Sequence, residues 1–236
     1  MTHTNHLLSD LKSLSNPSKA KLLSGFFKTA NGQYGEGDKF LGITVPQSRI
    51  IAKNYSGIIT LDGIKSLLNN KFHEVRLVSL LILIDKFEKS VTNTSKSIIV
   101  DFYLSHTEGI NNWDLVDLSA PRILGNYLVD KNDRGILYKL VKSSNLWEKR
   151  ISIISTLALI KNNQFDDTIK ISELLLDDSH DLIHKACGWM LREMGKMNEK
   201  VLLGFLDRYH KVMPRTMLRY SLERLSKKNK KHYMEK

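Results

Sequence analysis

Cysteine occurs once in the chain, at Cys187, so no disulfide can form within it. Long apolar runs are missing as well. Nothing approaches the roughly 18 residues that cross a bilayer, and the longest run, Leu77 to Ile84, reads as the core of a buried helix. The first residues, Met1-Thr2-His3-Thr4-Asn5-His6, lack the basic stretch followed by an apolar one that marks a chain for secretion. These absences point to the cytoplasm. Acidic residues are in deficit, 25 against 36 lysines and arginines, which leaves a net charge of +11 at pH 7. Like charges on one body repel, and a polyanionic partner relieves them. Nucleic acid is the first candidate, with an anionic membrane surface and no partner at all left open. The run Lys227-Lys228-Asn229-Lys230-Lys231 supplies part of the excess and reads as a solvated basic tail over 227–236.

Familiar catalytic patterns are scarce too. No serine stands in a nucleophile elbow, and Cys187 falls inside a helical pattern, where a buried thiol is inert. The glycine-bearing stretch 31–38 lacks the order of a phosphate-binding loop, carries two acids and follows no strand, so it reads as a connector or a DNA-facing loop. His180 and His184 have the i, i+4 spacing of a zinc helix, but Asp181 stands where a metalloprotease has glutamate and no third ligand follows. No metal and no cofactor is expected.

What the sequence does contain is helix after helix. Apolar residues recur at three- and four-residue intervals, without the period-two runs and hairpin turns of a sheet. Asn16-Pro17 and Thr44-Val45-Pro46 each open a helix with a proline in the first turn, and Asn16 can cap the first of them. From residue 60 onward the spacing predicts helices over 61–69, 73–87, 94–105, 112–128 with an interruption at Pro121, 133–142, 146–161, 166–176, 180–195, 198–210 and 214–225.

Laid over one another, the helices beginning near 73, 147, 181 and 213 place Arg76, Arg150, His184 and Arg215 one turn ahead of an apolar stripe. These residues are separated by 74, 34 and 31 positions, and the segment around Trp113 fills the middle of the first gap. An irregular helical-pair repeat of this length predicts an all-α fold, an α-solenoid of HEAT-like repeats with one concave basic face, as a single domain over 1–226. In such a body equivalent slots project to one side, so the four basic residues would line one surface.

At the centre lies Asn111-Asn112-Trp113-Asp114-Leu115-Val116-Asp117. On a helix Trp113 and Asp117 share a face. A carboxylate beside an aromatic face on a basic surface suits the stabilisation of a cation, although Trp113 could be packing and Asp117 a capping or ion-paired acid. Trp147 and Trp189 complete the chain's tryptophans. Arg150 offers a fork of donors matched to phosphate or, alternatively, to a carboxylate. Gly188 before Trp189 leaves room for a ligand or a second backbone.

These residues resemble the AlkD-type DNA alkylation repair family, bacterial DNA glycosylases built from HEAT-like repeats. The resemblance runs from about Phe26 to Leu225. It is carried by Asn112-Trp113-Asp114-Leu115-Val116-Asp117 with Pro121 and Leu124-Gly125, by Trp147-Glu148-Lys149-Arg150, by Lys185-Ala186-Cys187-Gly188-Trp189-Met190-Leu191-Arg192-Glu193, and by Phe40-Leu41-Gly42-Ile43 with Val45-Pro46. It implies Asp117, Trp113 and Trp189 as catalytic residues, Arg150 at the DNA backbone and Arg192 as a further basic contact. The reaction implied is metal-independent hydrolysis of the N-glycosidic bond of cationic alkylated purines, 3-methyladenine and 7-methylguanine among them, during base excision repair. The partner implied is double-stranded DNA, bound by a monomer that would associate with the nucleoid. The chain departs from the pattern where relatives carry a tyrosine, here Phe26 or Phe27, and a second tryptophan, here Asn112. Some relatives bind branched or distorted DNA without catalysis, which is the alternative reading. A protein-binding solenoid that meets an acidic partner is the third.

Overall fold

The structure is a computed structural model that describes residues 2–235. The described residues form helices and loops, with one isolated bridge between Lys39 and Phe72 as the sole extended pairing. No helix among them is long and apolar enough to cross a membrane. The chain divides into two compact units, Met1–Leu115 and Val116–Lys236.

The first unit holds α1 (His3–Ser13), α2 (Pro17–Phe26), α3 (Val45–Tyr55), α4 (Leu61–Leu68), α5 (His73–Lys89) and α6 (Asn93–Leu104), and it ends inside α7 (Trp113–Ser119). The starts of α2 and α3 fall where the sequence places them. Asn16 Oδ1 accepts from Lys19 N at 3.0 Å, and Gln47 Oε1 accepts from Thr44 N at 3.0 Å to close the start of α3. Helices α3, α4 and α6 pack against α5, which is buried at every position from His73 to Ile84. Each leucine or isoleucine buried there stabilises the unit by roughly 2 kcal/mol. Four of the buried positions, His73, Glu74, Arg76 and Ser79, are polar or charged.

The second unit holds the rest of α7, then α8 (Asn126–Leu128), α9 (Gly135–Leu140), α10 (Leu146–Lys161), α11 (Asp166–Leu174), α12 (Asp181–Met197), α13 (Glu199–Tyr209), α14 (Arg215–Ser221) and α15 (Lys227–Met234). The interruption expected at Pro121 is a widened turn over Pro121–Gly125. Proline has no N–H to continue the ladder, and Gly125 N instead donates five residues back to Ala120 O at 2.8 Å. Helix α10 packs against this turn and against α9, α11 and α12, while α12 packs against α13 and α14. At Gly188 helix α12 closely approaches α14. A Cβ there would stand 2.5 Å from Tyr220 Cβ and 2.6 Å from Met217 O, so the room it leaves is taken by another helix.

The lysine run expected to be a solvated tail lies on α15. Ser226 Oγ caps this helix by accepting from Asn229 N at 3.1 Å. Buried Tyr233 donates to Asp207 Oδ1 at 2.7 Å and ties the helix to α13. Lys236, at the end of the expected tail, lies outside the described residues.

Candidate active site

Helix α7 carries both members of the proposed pair, Trp113 at its first position and Asp117 one turn on. In the first unit Trp113 is half-buried and stacks on Phe27, with ring centroids 5.3 Å apart and planes 19° apart. Phe27 also lies against Phe40 at 5.1 Å and against the His73 imidazole at 4.9 Å. Phe26 meets Trp113 edge-on at 6.0 Å and is 63% exposed, so of the two phenylalanines it is the one that presents a ring at the surface. The indole is thereby held by packed rings rather than by a polar bond to its own ring nitrogen.

Beneath these rings lies a buried polar cluster that sequence reading missed. His73 Nδ1 is 3.1 Å from Asp38 Oδ2, and His73 Nε2 is 2.8 Å from Asp114 Oδ2. Arg76 donates to Asp38 Oδ1 at 2.5 Å and to Asn70 O at 2.8 Å. Asn112 is fully buried. Its Oδ1 accepts from Trp113 N at 2.9 Å and so fixes the first turn of α7. Burial alone would lower the His73 pKa, but the bonds to Asp114 and Asp38 outweigh it and push the value up to about 9. Burial likewise raises the Asp38 carboxyl, and His73 and Arg76 outweigh that and hold it below the usual carboxylate range. Next to the cluster, buried Glu74 accepts from the backbone of Leu41 at 2.9 Å, Gly42 at 2.8 Å and Ile43 at 3.2 Å, which pins the segment carrying Phe40.

The raised His73 pKa has a measurable consequence. A group whose pKa is higher in the folded chain contributes stability that is complete below its unfolded value near 6.5. That stability is lost as pH rises through the folded value of about 9. Unfolding free energy should therefore fall from pH 7 to pH 10 by about 3 kcal/mol from this group alone. His73→Gln should flatten the decline when urea unfolding is followed across that range. An equally steep fall in the variant would show that His73 is not its source.

In the second unit Asp117 is bonded fork to fork by Arg150. Arg150 Nε donates to Asp117 Oδ1 and Nη2 donates to Asp117 Oδ2, both at 2.8 Å. The remaining terminal nitrogen, Nη1, donates to Leu182 O at 2.6 Å. The Arg150 side chain is 5% accessible and that of Asp117 is 17%. A bidentate arginine fixes the plane of a carboxylate as well as its charge. Arg150 thus acts on Asp117, and its donors are turned inward.

Two of the expected backbone contacts, Arg76 and Arg150, are turned inward by this geometry. Arg76 and Arg150 are each 4% exposed and spend their donors on an aspartate and a main-chain carbonyl, because a guanidinium entering an apolar helix interface must be paired. They do not line a surface. His184 is half-buried with Nε2 against Asp178 O. Arg192 is half-buried and pairs with Glu193 and Glu223. Arg215 is exposed.

Trp189, half-buried on α12, donates from Nε1 to Glu193 Oε1 at 3.1 Å. Burial raises the Glu193 carboxyl, and Lys196 and Arg192 outweigh it and hold it low. Cys187 is completely buried, and burial pushes its thiol far up, which suits packing and not nucleophilic attack. Among the described residues no group of three His, Cys, Asp or Glu side chains is arranged to hold a metal ion.

Residues 7–225 match the family described as DNA alkylation repair enzyme. The chain belongs to that family. A solved structure described as a "Predicted DNA alkylation repair enzyme from Enterococcus faecalis" is similar over 90% of this chain and 97% of its own, with a TM-score of 0.70 and 18% identity. At that identity the likeness speaks for the fold, and the two share an all-helical, α-solenoid-like repeat architecture. No curated protein matches the chain. Membership in the DNA alkylation repair family supports a role in DNA repair, with DNA as the partner it implies.

Proposed function

We propose that the protein is a DNA glycosylase that hydrolyses the N-glycosidic bond of cationic alkylated purines in duplex DNA, of the 3-methyladenine and 7-methylguanine type. The observation that carries this reading is the Asp117 carboxylate, partly accessible and locked in orientation by the buried Arg150 fork. A methylated, positively charged base is already a good leaving group, so its departure needs no strong general acid. What must be stabilised is the oxocarbenium-like sugar that remains, and a fixed anion does this without reorganising as the charge develops.

Arg150 occupies two of the roughly four acceptor positions of a carboxylate, one on each oxygen. In this reading Asp117 stabilises charge and guides water, and Arg150 is its positioning residue. The indoles of Trp113 and Trp189 are assigned the electron-rich faces to which such a cation is attracted. Exposed Arg215 is assigned to the DNA backbone. No metal or cofactor is required by any of these steps.

Duplex DNA treated with a methylating agent, incubated with the pure protein and analysed for released bases by chromatography, should yield free 7-methylguanine and 3-methyladenine. Duplex binding with no release above the buffer control would leave the non-catalytic alternative, a module that binds branched or distorted DNA.

A further inference from the structure

The end of the chain carries charge that, Arg215 apart, the proposed function does not use. Residues 208–235 contain nine lysines and arginines against two glutamates, a net +7 out of +11 for the whole chain. All nine but Lys230 are exposed. Arginines elsewhere are mostly spent: Arg76, Arg134, Arg150 and Arg192 each pair with a carboxylate. Arg208, Arg215, Arg219 and Arg224, in contrast, have no carboxylate partner within 4.0 Å among the described residues.

Two of these side chains, Arg215 and Arg219, lie beside α15. Arg215 and Arg219 stand one turn apart on α14. Arg219 lines a cavity with Glu223, Lys230 and Met234, and Arg215 lines another with His210, Lys211, Tyr233 and Glu235, so each cavity joins a basic group of α14 to the α15 segment. Helix α15 is held in place by the Tyr233 bond to Asp207 and by Lys230 Nζ donating to Glu223 O at 3.0 Å. Tyr233 is buried, and its hydroxyl pKa is pushed up to about 12 by burial and by that carboxylate. Lys227 and Lys228 are exposed and unpaired, and Lys231 has only a loose contact with exposed Glu235 at 3.7 Å. The family match ends at residue 225, before α15 begins.

We propose that α14 and α15 form a sequence-independent anchor for the phosphodiester backbone of duplex DNA. The inference rests on DNA being the partner, and it does not depend on base release. Unpaired guanidinium forks match phosphate oxygens, and a docked helix presents its lysines with less ordering cost than a free tail. A bilayer is a poorer fit, because the aromatic residue of α15 faces inward and leaves no apolar side to sink into lipid.

The test uses the full chain and an undamaged duplex, with affinity measured from low to moderate salt. Replacing Lys227, Lys228 and Lys231 together by Gln should reduce the slope of log Kd against log salt by about 2 to 3, at 0.9 per phosphate contact, and weaken binding at least tenfold at low salt. Tyr233→Ala, which undocks the helix and keeps every lysine, should weaken binding at least threefold. Unchanged slope and affinity in the triple variant, with circular dichroism showing a folded chain, would overturn the anchor. Wild-type affinity in Tyr233→Ala would overturn its docked geometry. Equal binding of the wild type to anionic phospholipid vesicles and to duplex would overturn its assignment to DNA. Because no lesion is present, absent base release would defeat the glycosylase reading and leave this result standing.

Discussion

Arg150→Ala should cost about 3 kcal/mol of folding stability and, under conditions where the variant remains folded, lower base release at least tenfold without changing the salt dependence of DNA binding. The stability loss follows from burial. The arginine satisfies both Asp117 oxygens and the Leu182 carbonyl, and its removal leaves a carboxylate that is only 17% accessible without that partner. The catalytic loss follows because Asp117 would no longer be held in one plane. Arg150→Lys separates charge from geometry: it keeps the cation but cannot bridge both oxygens, so it should recover part of the stability and little of the rate. Urea unfolding and single-turnover kinetics read the two effects separately. A phosphate clamp would behave differently. Its loss would flatten the slope of log affinity against log salt by close to one, and that result would return Arg150 to the DNA backbone.

Asp117→Asn should reduce the single-turnover rate by about 100-fold or more, in line with the removal of a preorganised electrostatic group. The amide is nearly isosteric but neutral, and it turns one donor toward a guanidinium that already donates to both positions. Some stability is therefore lost as well, and the rates should be compared well below the melting temperature of the variant. Affinity for duplex DNA should hold or rise slightly, since a negative charge is removed from a protein that binds a polyanion. A parallel loss of binding and rate would assign Asp117 to the architecture of the site and not to its chemistry.

The helices were legible because their signals are local. Asn16 and Thr44 mark starts, the apolar stripe of Leu77 to Ile84 marks a buried helix, and Pro121 marks an interruption, each within a few residues. The recurrence of basic residues at Arg76 and Arg150 was legible too, but their direction was not. An arginine one turn into an apolar helix can reach outward or inward. Which it does depends on an acid far away in sequence, here Asp38 for one and Asp117 for the other. The only local hint was polarity at the head of an otherwise buried helix, as in His73-Glu74-Val75-Arg76. His73 itself joins Asp38 and Asp114, 35 and 41 residues away, which no spacing rule links. The docking of the lysine run was hidden for the same reason. Its composition is that of a tail, and it becomes a docked helix through one tyrosine and a distant aspartate, Asp207.

The central claim is that an oriented Asp117 carboxylate drives departure of a charged base. It is tested most directly with a duplex containing a single 7-methylguanine, mixed with excess protein and assayed for alkali-labile abasic sites over time. The wild type should convert the duplex to abasic product, and Asp117→Asn should do so about 100-fold more slowly or not at all. Abasic sites formed by the variant at the wild-type rate, or none formed by the wild type, would contradict the account.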